Sequence, residues 1–110
     1  MHWIPLTDST QLDELIAASY QKPIALYKHS TRCSVSVMVK RSLEQGWKMS
    51  ENEVPIYYLD LLTYRPISNR VAELFSVQHQ SPQLILIRNG KAVYHASHSD
   101  IDLDQMVKSI

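Results

Sequence analysis

Apolar positions in this chain fall into short continuous runs alternating with stretches that repeat every three to four residues, and that alternation predicts the elements. Leu12, Leu15, Ile16 and Ser19 share one helical face, with Thr10 and Asp13 at capping-box spacing. Ile24 to Tyr27 form an unbroken apolar run after Pro23, as in a strand buried on both faces. Val35, Met38, Val39, Leu43 and Trp47 then return to helical spacing until Gly46 loosens it. Pro55 to Leu61, rich in aromatic and branched residues, reads as a second buried strand. Val71, Ala72, Leu74 and Phe75 mark a short helix with Ser68 as its cap. Leu84–Ile87 and Ala92–His95 flank Asn89-Gly90, a dipeptide that accepts the positive φ angles of a tight hairpin. Ile101, Leu103, Met106, Val107 and Ile110 predict a closing helix that starts at Ser99 or Asp100.

With Trp3-Ile4 pairing as an edge, the order is strand, helix, strand, helix, strand, helix, hairpin, helix. Strands separated by crossover helices pair in parallel, whereas the hairpin must be antiparallel. The expected fold is α/β, with a mixed central sheet and helices on both faces, in the thioredoxin-like order. Its 110 residues are read as a single domain, 1–110.

Composition narrows the function. Eleven basic and eleven acidic residues give zero net charge, unlike a general nucleic-acid or anionic-membrane binder. No apolar run approaches the roughly 18 residues of a membrane span. Met1-His2-Trp3-Ile4-Pro5 lacks the basic start and apolar stretch of a secretory leader. The single cysteine cannot form an internal disulfide and suits a reducing compartment, so a cytoplasmic location is expected.

That cysteine is the leading chemical candidate. Cys33 lies where a strand-like run hands over to a helix-like one, between Arg32 and Ser34 and outside any apolar run. A sulfur in the first turn of a helix faces the positive end of the backbone dipole, which favours its nucleophilic form. Lys28, His29, Arg32, Lys40 and Arg41 are near in sequence and could add positive potential. Ser36 stands where a two-cysteine redox enzyme carries its second thiol, so a mixed disulfide on Cys33 has to be resolved by an outside thiol. Its hydroxyl, one turn on, could hydrogen-bond the sulfur. His29 could polarise the thiol or close a strand end. By analogy with the thioredoxin arrangement, Ser81 and Pro82 belong to the site, the proline being cis and facing the cysteine. His2 and His79 read as surface or loop residues, and Trp3, Trp47 and Phe75 as core. His95 and His98, three apart without a third ligand, do not make a metal site, and none is expected.

Lys28 to Ser36, together with Ser81-Pro82-Gln83, the Leu84–Ile87 run, Asn89-Gly90-Lys91 and Ala96-Ser97-His98, resembles the YtxJ-like monothiol bacilliredoxins of the bacillithiol system. The resemblance implies thiol–disulfide exchange that removes bacillithiol from S-bacillithiolated proteins. Cys33 would be the nucleophile, Thr31, Arg32 and Ser36 would line the site, and Pro82 would lie opposite. The implied partners are S-thiolated proteins and a low-molecular-weight thiol, bacillithiol or a similar one, acting as co-substrate with no bound cofactor. Two positions depart from the patterns. Ser34 stands where family members often carry proline, and restores a backbone donor near the sulfur. Tyr27 stands where thioredoxins keep a buried acid, so proton transfer to a leaving thiol must be handled differently. Two other classes compete: a non-catalytic binding module of the same shape, and an iron–sulfur carrier of the monothiol glutaredoxin type, whose glycine and phenylalanine are replaced by Ser34 and Val35.

Overall fold

The computed structural model describes residues 1–110. The strands are β1 (Trp3–Pro5), β2 (Ile24–His29), β3 (Ile56–Asp60), β4 (Gln83–Arg88) and β5 (Lys91–Ser97). The helices are α1 (Ser9–Ala18), α2 (Ser34–Gly46), α3 (Arg65–Phe75) and α4 (Leu103–Lys108), with a 3-10 turn at His98–Asp100. The strands form one sheet in the order β1-β3-β2-β4-β5. β1, β3 and β2 run parallel, while β4 is antiparallel to β2 and β5 to β4. The mixed sheet is therefore as the pattern predicted.

Two apolar layers sandwich it. Ile24 and Leu26 of β2, with Leu59, Ile85 and Ile87, pack against Leu12 and Leu15 of α1 and Ile67, Val71 and Phe75 of α3. Ala25 and Tyr27, with Ile56, Leu84 and Leu86, pack against Leu43 and Trp47 at α2 and Met106 of α4. Every residue of β2 is buried, as expected of a central strand covered on both faces. Asn89 at φ 54° and Gly90 at φ 75° close the β4–β5 hairpin in the mirror-image turn that matches strand twist.

Helix starts differ from the pattern. α1 is capped by Asp8 rather than Thr10: its carboxylate accepts the Gln11 N–H at 2.8 Å, and the Gln11 side chain reaches back to the Thr7 N–H at 2.8 Å. α3 begins at Arg65, with Pro66 pre-set for its first turn, so Ser68 lies inside the helix and is fully buried. Asp102 caps α4, accepting from the Asp104 and Gln105 N–H groups, and Asp100 belongs to the preceding 3-10 turn. Within α2, Val35 and Met38 are exposed and the inward residues are Ser36 and Leu43. Trp47 and Phe75 are core residues, whereas Trp3 is half-buried at the sheet edge.

Candidate active site

Strand β2 points alternate side chains to opposite faces, so Tyr27 and His29 look toward α2 and Lys28 toward α3. Beyond His29 the chain leaves the sheet through a turn closed by the Cys33 N–H donating to the Ser30 carbonyl at 3.1 Å. Cys33 then occupies the N-cap of α2 in extended conformation, and its own carbonyl accepts the Val37 N–H at 3.2 Å. Its side chain makes no capping bond, and the thiol is free and half-exposed at the helix N-terminus. Thr31, Arg32 and Ser34 stand exposed beside it.

Ser36 is fully buried one turn further on. Its hydroxyl accepts the Ser30 N–H at 3.1 Å and lies 2.7 Å from His29 Nδ1. Its backbone carbonyl accepts the Tyr27 hydroxyl at 2.7 Å. The bonds of this hydroxyl therefore run to the β2 end rather than to the sulfur, and Ser36 pins the cysteine loop to the sheet. Burial, followed by the Lys40 charge, holds His29 below the ordinary imidazole range, against an opposing pull from Asp60. Tyr27 is pushed up to about 12, first by burial and further by the charges at Cys33 and Tyr58, so it stays a neutral phenol.

The floor beneath α2 is aromatic. Trp3 meets Tyr27 at 5.6 Å and Tyr58 at 5.9 Å between ring centroids, and His29 meets Tyr58 at 5.2 Å. Lys40 Nζ lies 5.2 Å over the Trp3 ring and 5.7 Å over Tyr58, and pairs with Glu44 at 2.9 Å. Trp3 Nε1 donates to the same carboxylate at 2.8 Å. Sequence reading missed the Trp3, Lys40, Glu44 and Tyr58 group. Lys40 and Glu44 stand at the i,i+4 spacing of a helical ion pair, whereas Trp3 reaches Glu44 across 41 positions and Tyr58 comes from β3.

Pro82 follows a cis peptide bond from Ser81, matching the expectation. Lys28 pairs with Gln83 across the antiparallel β2–β4 ladder, and continuing that register brings Pro82 beside His29, at the strand end from which the cysteine loop departs. The Pro82 carbonyl already accepts the His98 N–H at 3.0 Å, which leaves Ser81 as the residue of the pair with free backbone groups. The Ser81 hydroxyl is buried without a partner.

Lys28 is not part of this site. It is fully buried on the other face, donating to the Ser68 carbonyl at 3.2 Å and contacting His79 Nδ1 at 3.2 Å. His79 is likewise no simple surface residue, being half-buried against Lys28, Ser68 and Arg65. His95 and His98 join no cluster of three or more metal-ligating side chains.

With one thiol and a buried hydroxyl at the second position, this arrangement can form a mixed disulfide and cannot resolve it internally. Comparison with known proteins gives the same class. A family profile described as monothiol bacilliredoxin BrxC matches residues 4–106. A solved thioredoxin-fold structure described as a proposed oxidoreductase is 26% identical, with a TM-score of 0.81 over 97% of this chain and 92% of that one. Thioredoxin from Malassezia sympodialis (Mala s 13) superposes with a TM-score of 0.75 at 14% identity, covering 98% of this chain and 87% of that one. Mitochondrial thioredoxin 3 from Saccharomyces cerevisiae does so at 0.71 and 15%, covering 97% and 94%.

Proposed function

Since the chain belongs to the monothiol bacilliredoxin family, we propose that it removes a low-molecular-weight thiol, bacillithiol or a close analogue, from protein mixed disulfides in the cytoplasm. The observation that carries this reading is the solitary, half-exposed thiol at the N-cap of α2, with Ser36 buried at the second position.

In the first step the Cys33 thiolate attacks the small-thiol sulfur of the protein mixed disulfide. That S–S bond breaks, the substrate cysteine leaves as thiolate and takes a proton, and a new disulfide joins Cys33 to the small thiol. A second small-thiol thiolate then attacks the small-thiol sulfur of this adduct, releasing the Cys33 thiolate and the small-thiol disulfide. Over the cycle the incoming small thiol is oxidised into the small-thiol disulfide, the substrate sulfur is reduced to a thiol, and Cys33 is unchanged.

The surroundings support such a cycle. Hydrogen bonds from Ser30 N–H to Ser36 Oγ and from Tyr27 to the Ser36 carbonyl fix the first turn of α2 against the sheet, so the sulfur is presented from a rigid base. Thr31, Arg32 and Ser34 flank it on the solvent side. The free backbone groups of Ser81 suit an extended substrate segment lying beside the sulfur. Tyr27 replaces a buried acid with a phenol held neutral up to about 12, so the proton needed by the leaving thiolate comes from solvent rather than from this position.

Incubating an S-bacillithiolated protein with the enzyme and excess bacillithiol tests the reading. Release of the substrate thiol by wild type and none by Cys33→Ser is the expected result. Equal release by both proteins would overturn it, and no release by either would favour the binding-module alternative.

A further inference from the structure

A cavity of about 270 Å³ opens against α2 and is lined by His29, Val37, Lys40, Arg41, Glu44 and Tyr58. Its Val37 wall begins one helical turn from the nucleophile, since the Val37 N–H bonds the Cys33 carbonyl at 3.2 Å. A helical turn advances about 5.4 Å, a distance that a short arm of a few bonds covers. We propose that this cavity is the subsite for the acidic arm of a small carboxylate-bearing thiol, seated there while its sulfur exchanges at Cys33. The inference rests on the exchange reaction above and names the chemical class of its small thiol.

Unpartnered donors carry the assignment. Arg41 has neither an ion pair nor a side-chain hydrogen bond, the salt bridges of the chain being Lys40–Glu44 and Arg70–Asp13. His29 is 4% exposed, and with Nδ1 occupied by Ser36 its Nε2 has no protein partner. In the tautomer in which Ser36 donates to Nδ1, the ring proton sits on Nε2 and this nitrogen serves as a donor. The Tyr58 hydroxyl also lacks a protein partner, and burial with the Asp60 charge keeps it above the ordinary phenol range, so it retains its proton.

The charges agree in sign. Glu44 is the only acid in the lining, and it is already held by Lys40 at 2.9 Å and Trp3 at 2.8 Å. The Arg41 charge also reaches that carboxylate but makes no ion pair with it, so its guanidinium donors stay open. A carboxylate entering the cavity would gain a guanidinium, an imidazole N–H and a phenol O–H, the donor set that strengthens hydrogen bonds to an anion. The recess takes an arm of a small molecule. A protein segment would instead meet the exposed Val35 and Met38 of α2.

The rates at which Cys33 forms adducts with 3,3′-dithiodipropionate and with neutral 2-hydroxyethyl disulfide, read by intact mass, give a ratio that tests the subsite. Wild type should favour the anionic disulfide, and the ratio should fall about 5-fold in Arg41→Gln and about 2-fold in Tyr58→Phe. Because Tyr58→Phe changes no charge, its effect separates a local donor from a general field. The wild-type preference should also persist in about 0.5 M salt, where long-range attraction is screened. An unchanged ratio in both variants, or a preference abolished by salt alone, would overturn the subsite while leaving exchange at Cys33 standing. Failure of wild type to react with either disulfide would overturn the exchange reading and the subsite with it.

Discussion

Lys28 and His29 are neighbours on one strand, both basic and both buried, yet they have opposite surroundings. His29 bonds the Ser36 hydroxyl at 2.7 Å, stacks near Tyr58 and borders a solvent-connected cavity. Lys28 is sealed among the Ser68 carbonyl, His79 and the nearby Arg65 charge, with no carboxylate in contact. The difference comes from the two-residue period of a strand, which sends adjacent side chains to opposite layers. Nearness in sequence to a nucleophile therefore says little about electrostatic help: Lys28 is closer to Cys33 in the chain than Lys40 is, but Lys40 lies on the cysteine's side of the sheet. One face of the β2 end adjoins the cysteine loop and a solvent-connected cavity, and the other is closed by packing.

Removing the sulfur gives the largest contrast. Cys33→Ser should lose all adduct formation while its melting temperature stays close to wild type, since a half-exposed thiol contributes little burial. Parallel mass spectrometry and thermal melts check both halves of that statement.

On the Lys28 face the expected signature is stability rather than activity. Burial first, and the Arg65 charge second, push Lys28 down to about 8, whereas an unfolded lysine keeps its proton to 10.5. Between those values the unfolded chain binds the extra proton, so stability should rise with pH from 8 toward 10 and be lowest, for this group, below 8. The full effect is about 3 kcal/mol. Tyr27 opposes it above pH 10, because the folded state holds that proton up to about 12. Lys28→Met should remove the rise and stabilise the protein at pH 7. Urea melts at pH 7, 8.5 and 10 measure this; a wild-type curve that is flat over that range would remove the sealed-lysine account.

A smaller effect is expected from Ser36→Ala, which touches the His29 face. It strands the Ser30 N–H and His29 Nδ1, costing about 1–3 kcal/mol. Unlike Lys28→Met, it should also slow exchange at Cys33 several-fold by loosening the first turn of α2, and stopped-flow rates on both variants would separate the faces. The smallest change is Asp8→Ala, remote from both, which should cost about 1 kcal/mol of cap energy in the same urea melts.

Much of this was legible in the chain. The strands could be read because a buried central strand needs an unbroken apolar run, and Asn89-Gly90 because few dipeptides tolerate two positive φ angles. Cys33, Ser36 and Pro82 could be found from their places at element boundaries. Helix starts could not, since Thr10, Ser68 and Ser99 have capping side chains as suitable as those of Asp8 and Asp102, and tertiary placement chooses among them. α2 misled for a different reason. Val35 and Met38 continue the apolar period but flank the half-exposed cysteine, whereas the inward position of that turn is taken by Ser36, whose polarity is satisfied by His29 and Ser30. The Trp3–Lys40–Glu44 group brings together residues up to 41 positions apart, a contact no local pattern encodes.

The most direct test of the central claim, a single nucleophile resolved from outside, is the intact mass of reduced protein after bacillithiol disulfide and then after added bacillithiol. One adduct on Cys33 that disappears in the second step is the predicted result. No adduct, or one that persists when bacillithiol is added, would contradict it.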